Sequence, residues 1–156
     1  MNIVEQGMLL AAALPREGIR AAILNAEASV KGTEHDIGNA VCTVRHIFAP
    51  GCYAREITMP EGMAIIGKIH RHAHVNVISA GHVRVLTEHG GCEEFKAPCT
   101  FVSQPGTKRL VYILEDTVWT TIHITNSTDL EEIEREIIAP DYESIEFKAD
   151  FIEVSE

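Results

Sequence analysis

The stretch "GKIHRHAHVNVISAG", residues 67–81, sets His70, His72 and His74 at every second position, with Lys68 before them and Asn76 after. On an extended strand successive side chains alternate between faces, so these five would share one face and Ile69, Val75 and Val77 the other. Five polar side chains in a row can line a site or meet water. Working outward, the segment from about Val41 to Thr125 is built of short runs rich in Val, Ile, Thr and aromatics: "CYAREITM", "MAIIGKIH", "HVNVIS", "HVRVLTE", "CTFVS", "KRLVYIL" and "VWTTIHIT". Gly and Pro punctuate them at "APG" 49–51, "PEG" 60–62, "HGG" 89–91 and "PG" 105–106. Closely spaced strand-length runs of this kind predict a sandwich or small barrel rather than a parallel α/β sheet.

The flanks differ from this middle. Ile19, Ala22, Ile23 and Ala26 recur at helical spacing, with Pro15 interrupting or starting a helix. Near the other end "TDLEEIEREII" has the spacing of a capping box, Thr128 as cap with Glu131 three residues on, and an apolar stripe of Leu130, Ile133, Ile137 and Ile138. After Pro140, "SIEFKADFIEVS" alternates weakly and reads as an edge strand or a dimer contact. The chain is read as one domain, 1–156, with a helical segment 1–40, a barrel 41–125 and a C-terminal helix and tail 126–156.

Charge narrows the partners. With 13 Lys and Arg against 23 Asp and Glu, a formal charge of -10, the chain lacks the concentrated positive surface that nucleic acid or an anionic membrane requires. A small molecule or another protein is the expected partner. The opening residues carry Glu5 and no basic residue before Arg16, and the apolar Met8–Leu14 is too short to span a bilayer, which reads as an unsecreted, cytoplasmic chain. Cys42, Cys52, Cys92 and Cys99 form no C-x-x-C pair and read as reduced, buried thiols.

The spacing around the histidines resembles the cupin superfamily, whose first motif is G-x5-H-x-H-x3-E-x6-G. Gly62, Lys68, His70, His74 and Gly81 match every interval, with Lys68 at the first histidine position and His74 at the glutamate position. The second motif, P-x-G-x2-H, meets "QPGTKR", where Arg109 stands for the histidine and Pro105 lies one place late. A second register, with His70 and His72 as the H-x-H pair, places Asn76 at the glutamate and Val83 at the closing glycine. The first register is preferred because the Gly62 and Gly81 turns are backbone requirements. In it Arg71, His72 and Ala73 form a loop at the barrel mouth, and His72 is solvated. The sheet-forming middle also resembles small cupin-like proteins of phage and bacterial genomes. The resemblance implies an α+β, mainly β, chain: a cupin-like double-sheet β-barrel (jelly roll) flanked by helices, and a homodimer.

In "VWTTIHIT", Trp119, Thr121, His123 and Thr125 share one face, and alternation leaves open which face is inside. The resemblance implies that the motif histidines point inward. His70, His74 and His123 would then make an open site for Zn, Fe, Ni or Mn, as in an oxygenase or lyase. Lys68 and Arg109 oppose that by repelling a dication, and favour a small anionic metabolite instead. The metal-free alternative is an isomerase or epimerase, with His70 or His74 as general base, Asn76 beside them, and Tyr112 or Tyr53 returning the proton. Two further readings stay open: a binding module for an anionic metabolite without turnover, and a structural or assembly protein with a filled barrel. Glu115 and Asp116 read as a charged turn, Lys108 and Arg84 as solvated, and His46, His82 and His89 as structural.

Overall fold

The computed structural model describes residues 1–144; the alternating tail beyond Ser144 lies outside the described residues. Two helices open the chain, α1 (Ile3–Ala12) and α2 (Arg16–Val30), followed by a single turn, α3 (Gly38–Val41). Asn2 and Glu5 form a reciprocal capping box at the start of α1, and Pro15, whose fixed φ suits a helix entrance, immediately precedes α2. Eight strands follow: β1 (Thr43–Ala49), β2 (Cys52–Met59), β3 (Ala64–Ile66), β4 (Ile69–His70), β5 (His74–Thr87), β6 (Gly91–Lys96), β7 (Cys99–Ser103) and β8 (Leu110–Ile124). The described chain ends with α4 (Leu130–Ile137) and β9 (Ile138–Ala139).

All strand pairing is antiparallel. The main sheet runs β1-β2-β8-β5-β6, with β3 added on β8 and β7 on β5, and a separate ribbon joins β4 to β9. β5 and β8 are long enough to serve both halves of the barrel, so "HVNVIS" and "HVRVLTE" are one strand, as are the end of "KRLVYIL" and "VWTTIHIT". Their mutual register shifts between Ile78 and Val83, which bends the pair. Glu115 and Asp116 therefore lie within β8 and not in a turn; the Asp116 carboxylate accepts from the Glu61 main-chain N–H at 2.8 Å.

Alternation is resolved by burial. On β5, His74, Asn76 and Ile78 face inward while Val75 is exposed; on β8, Trp119 and His123 face inward while Ile124 is exposed. The barrel interior is divided along its axis. One half is apolar, filled by Met59, Ile78, Val83, Val85, Val111, Ile113 and Trp119, with Phe95 and Phe101 stacked at 4.5 Å. The other half is polar and holds the histidines. Outside, α1 and α2 cover one sheet face through Met8, Ile19, Ile23 and Leu86. The cap of α4 is Asp129, whose carboxylate accepts from the Glu131 and Glu132 N–H groups, not Thr128. Of the predicted stripe only Ile133 and Ile137 are buried within the helix, packing on Tyr53; Leu130 is exposed and Ile138 belongs to β9.

Candidate functional site

His74 starts β5 and His123 lies near the end of β8, and the pairing Val75↔Ile122 sets them side by side on the inner face. His70 arrives separately. The chain turns at Arg71–Ala73, so His70 sits on β4, held by its main-chain pairing to Ile138 and by its carbonyl, which accepts from Gly106 N–H at 2.9 Å. Three imidazoles meet: His70–His74 centroids are 4.3 Å apart, His74–His123 4.8 Å and His70–His123 5.4 Å.

Their electrostatics follow from burial with no acid among the described residues bearing on them. His70 is held down at about 3, first by desolvation and then by His74, His123 and Arg109. His123 is lowered to about 4 by burial, His74, Arg55 and His72, and His74 is lowered by burial, with Arg109 adding to it and its hydrogen bonds opposing. All three are neutral imidazoles at pH 7. In the tautomer where His74 Nδ1–H donates to the His72 carbonyl, at 3.3 Å, its Nε2 carries a lone pair; that Nε2 and His70 Nδ1 are buried with no hydrogen-bond partner. Buried polar atoms are rarely left so, because each costs about 1–3 kcal/mol of lost solvation. His123 Nε2 lies 3.1 Å from the Thr121 hydroxyl.

A second network sits below the triad. Asn76, wholly buried, donates through Nδ2 to Ser103 Oγ at 2.7 Å and accepts from Trp119 Nε1–H at 3.0 Å. Arg109 donates to the same Ser103 hydroxyl, and its guanidinium stands 5.7 Å from the Phe101 ring centre and 5.9 Å from that of Trp119. Burial lowers Arg109 to about 10, Glu93 opposing. Its placement is fixed by main chain: Gly67 N–H donates to the Arg109 carbonyl at 2.9 Å, tying the "PGTKR" loop to the strand before His70.

Not every predicted residue enters. Lys68 is exposed and ion-paired with Glu134 of α4 instead of facing the lumen, because β4 begins only at Ile69 and the alternation read through Lys68 is not continuous strand. Tyr112 lies on the opposite face of β8, packed against the Met8, Ile19, Ile23 and Leu86 cluster, so it cannot reach the triad. Lys108 is buried and paired with Glu27 at 2.7 Å, and Arg84 binds Glu5 and Glu94; neither is a solvated cation. His72 is exposed, as the loop reading predicts. The four cysteines are free and half-buried.

Sequence reasoning passed over Arg55. On β2 the inward positions are Tyr53, Arg55, Ile57 and Met59, and Arg55 pairs across with Thr121 on β8. An arginine alternating with apolar inward residues in "CYAREITM" was the available signal. Tyr53 is buried, stacks on His123 at 6.1 Å, and its hydroxyl meets His46 Nδ1 at 2.6 Å. The surface groove of about 640 Å³ lined by Arg71, Glu131, Glu134, Arg135, Ile138 and Pro140 lies along α4 and includes none of the triad.

No protein-family profile matches the chain, and no curated protein matches it. Solved structures do. Ectoine synthase from P. lautus superposes with a TM-score of 0.52 at 12% identity, over 70% of this chain and 82% of that one. KdgF from Halomonas sp. gives 0.46 at 17% identity, over 55% and 82%, and an RmlC-like cupin with a double-stranded β-helix fold from Methanocaldococcus jannaschii gives 0.46 at 12%, over 55% and 81%. At these identities the likeness concerns the backbone alone. The likeness to ectoine synthase, joined to the antiparallel barrel and its flanking helices, shows that this chain has a cupin-type β-barrel fold.

Proposed function

We propose that the polar half of the barrel binds a small molecule, and that His70, His74 and His123 hold a divalent first-row metal there, the donor set of an oxygenase or lyase. The observation that carries this reading is the pair of orphaned nitrogens, His70 Nδ1 and His74 Nε2, buried beside a third neutral imidazole. The donor chemistry fits: neutral imidazole suits Zn, Fe, Ni or Mn, and a carbonyl fixing Nδ1–H of His74 is a common orienting contact for a metal-bound histidine. The His70 and His123 rings stack while His74 is tilted against both, and among the described residues no three His, Cys, Asp or Glu converge as a finished cage. Rotation of the imidazoles about their side-chain bonds would be part of binding. A bound metal would supply Lewis-acid polarisation of a substrate oxygen or an activated water. The chain's own residues would do the rest: Arg109 orients an anionic group, Asn76 and Ser103 fix Arg109, and α4 with Tyr53 shields one side from water.

The metal-free reading is favoured by one observation, that Arg109 has no carboxylate within salt-bridge distance among the described residues. It makes the lumen a capture or proton-transfer site, His70 or His74 acting as base. A purely structural barrel would have an apolar interior, and the orphaned imidazoles weigh against it.

The expected result of incubating chelator-treated protein with Co(II) is about one ion per chain, with the visible absorption of a nitrogen-ligated site, both lost in His74→Ala at an unchanged far-UV spectrum. Uptake that survives in His70→Ala and His74→Ala alike would sink the metal reading and leave the metal-free one.

A further inference from the structure

Two guanidinium groups enter the polar half of the barrel from opposite ends of one row of inward residues. Cross-strand pairing reads His46↔Arg55, Arg55↔Thr121, Asn76↔Thr121 and Asn76↔Phe101, so Arg55, Thr121, Asn76 and Phe101 form one line across β2, β8, β5 and β7. Arg109 stands over Phe101 at the far end of that line. With neighbouring strands roughly 4.8 Å apart, the backbone at Arg55 and that at Phe101 are separated by about 14 Å along the curved sheet, and both positions alternate to its inner face. The histidine row, His123 and His74, runs parallel, two residues further along the same strands.

Neither arginine is ion-paired, although Glu93 bears on Arg109 from a distance. Among the described residues no carboxylate lies within ion-pair distance of Arg55 or Arg109, although the chain carries ten more acids than bases and pairs Arg16, Arg20, Arg45, Arg84 and Lys108 elsewhere. Among the described residues no acidic side chain contributes to the environment of the three histidines, whereas Arg109 bears on His70 and His74, and Arg55 on His123. The row is also reachable. His46 is exposed on the edge strand β1, and Arg55 and Thr121 keep part of their surface exposed behind it. A partly desolvated cation left without an anion is costly, and two of them facing one space are unusual unless a ligand completes them.

We infer that the ligand of this barrel is a dicarboxylate, one carboxylate held by Arg109 beside Ser103 and the other by Arg55, with the body of the molecule lying across Thr121 beneath the histidine triad. The inference rests on the reading of the barrel as a small-molecule site and adds to it the charge and the two-ended form of the molecule. Each end would form a charge-assisted pair, bidentate where the guanidinium presents its fork. Net negative charge on the surface would slow entry, and the two internal cations would retain what enters.

The test is isothermal titration calorimetry on chelator-treated full-length protein with succinate, glutarate and adipate, against butyrate as the one-ended control. At least one dicarboxylate is expected to bind about tenfold or more tighter than butyrate, the worth of one additional charge-assisted pair. Arg55→Gln should bring that dicarboxylate down to the butyrate level while leaving butyrate unchanged; Arg109→Gln should weaken both. Arg55→Lys and Arg109→Lys, which keep the charge and lose the fork, should fall between and guard against a folding defect. A dicarboxylate that binds no better than butyrate, or that ignores both substitutions, overturns the inference. If no acid binds but Co(II) still loads on the triad, the dicarboxylate falls alone; if Co(II) fails as well, the small-molecule reading falls with it.

Discussion

Gly81→Ala is expected to destabilise the protein by about 4 kcal/mol, combining roughly 1–3 kcal/mol for a non-glycine residue held at positive φ with about 1–3 kcal/mol for overpacking. Gly81 has φ +95°, and a Cβ there would lie 2.3 Å from Thr117 Oγ1, 2.4 Å from the Asp116 carbonyl oxygen and 2.6 Å from Thr117 Cα. Two of those three atoms are backbone of β8, so no side-chain rotation relieves the contact. The site is where β5 and β8 lose and regain register, between Ala80↔Val118 and His82↔Glu115. Forcing β8 away there would tilt the segment that carries Trp119 and His123. Gly62 is the control: it also has positive φ, +86°, but a Cβ there meets nothing within 4 Å. Gly62→Ala should therefore cost only the conformational part, about 1–3 kcal/mol. Urea denaturation of the two variants checks this, and equal midpoints would refute the steric part of the argument.

That contrast explains how far the residues themselves reveal the barrel. The glycine frame is a demand of backbone geometry, and the two motif glycines occupy left-handed positions where the fold needs them. His74, Asn76 and His123 were legible from period-2 alternation once an inward face was chosen, since each lies on a long continuous strand. Lys68 was not, because alternation holds only while the strand lasts, and here the chain breaks into β4 and a turn. Tyr112 misled for another reason: β8 is covered on both faces, by the barrel interior and by α1 and α2, and a half-buried tyrosine suits either. Arg109 was found through the spacing of its loop, but the bonds that seat it, Gly67 to Arg109 and Gly106 to His70, join residues some forty positions apart or nearly so, and no local pattern encodes them. Arg55 was overlooked because a single arginine within a strand reads as an outward residue by default.

Chelator-treated protein is expected to lose about 3 kcal/mol of stability between pH 6.5 and pH 5 through His70 and His123 alone. Both are depressed in the folded state, to about 3 and about 4, while in the unfolded chain they return to the ordinary 6.5. Between those values the unfolded chain binds more protons than the folded one, so stability rises with pH; the contribution is complete above 6.5 and drains away as pH falls toward the folded values. The slope approaches about 1.4 kcal/mol per pH unit for each group but is half that at pH 6.5, where the unfolded histidine is half protonated, hence about 1.6 kcal/mol per histidine over the interval. His74 is shifted in the same direction and steepens the loss. Carboxylates held down in the folded protein act in a lower window: Glu88, where burial is outweighed by Arg20 and Arg16, loses its contribution only as pH falls below about 4.5. Urea denaturation at pH 7, 6 and 5 separates the two. The wild-type midpoint should fall steeply over that range, and His70→Gln with His123→Gln should flatten the fall while removing a buried cost at neutral pH. Parallel curves for wild type and the double variant would mean that these imidazoles are not held neutral by the fold. The same neutral imidazoles are what a divalent metal requires, so metal-loaded protein should gain stability above pH 6.5 and lose that gain first on acidification.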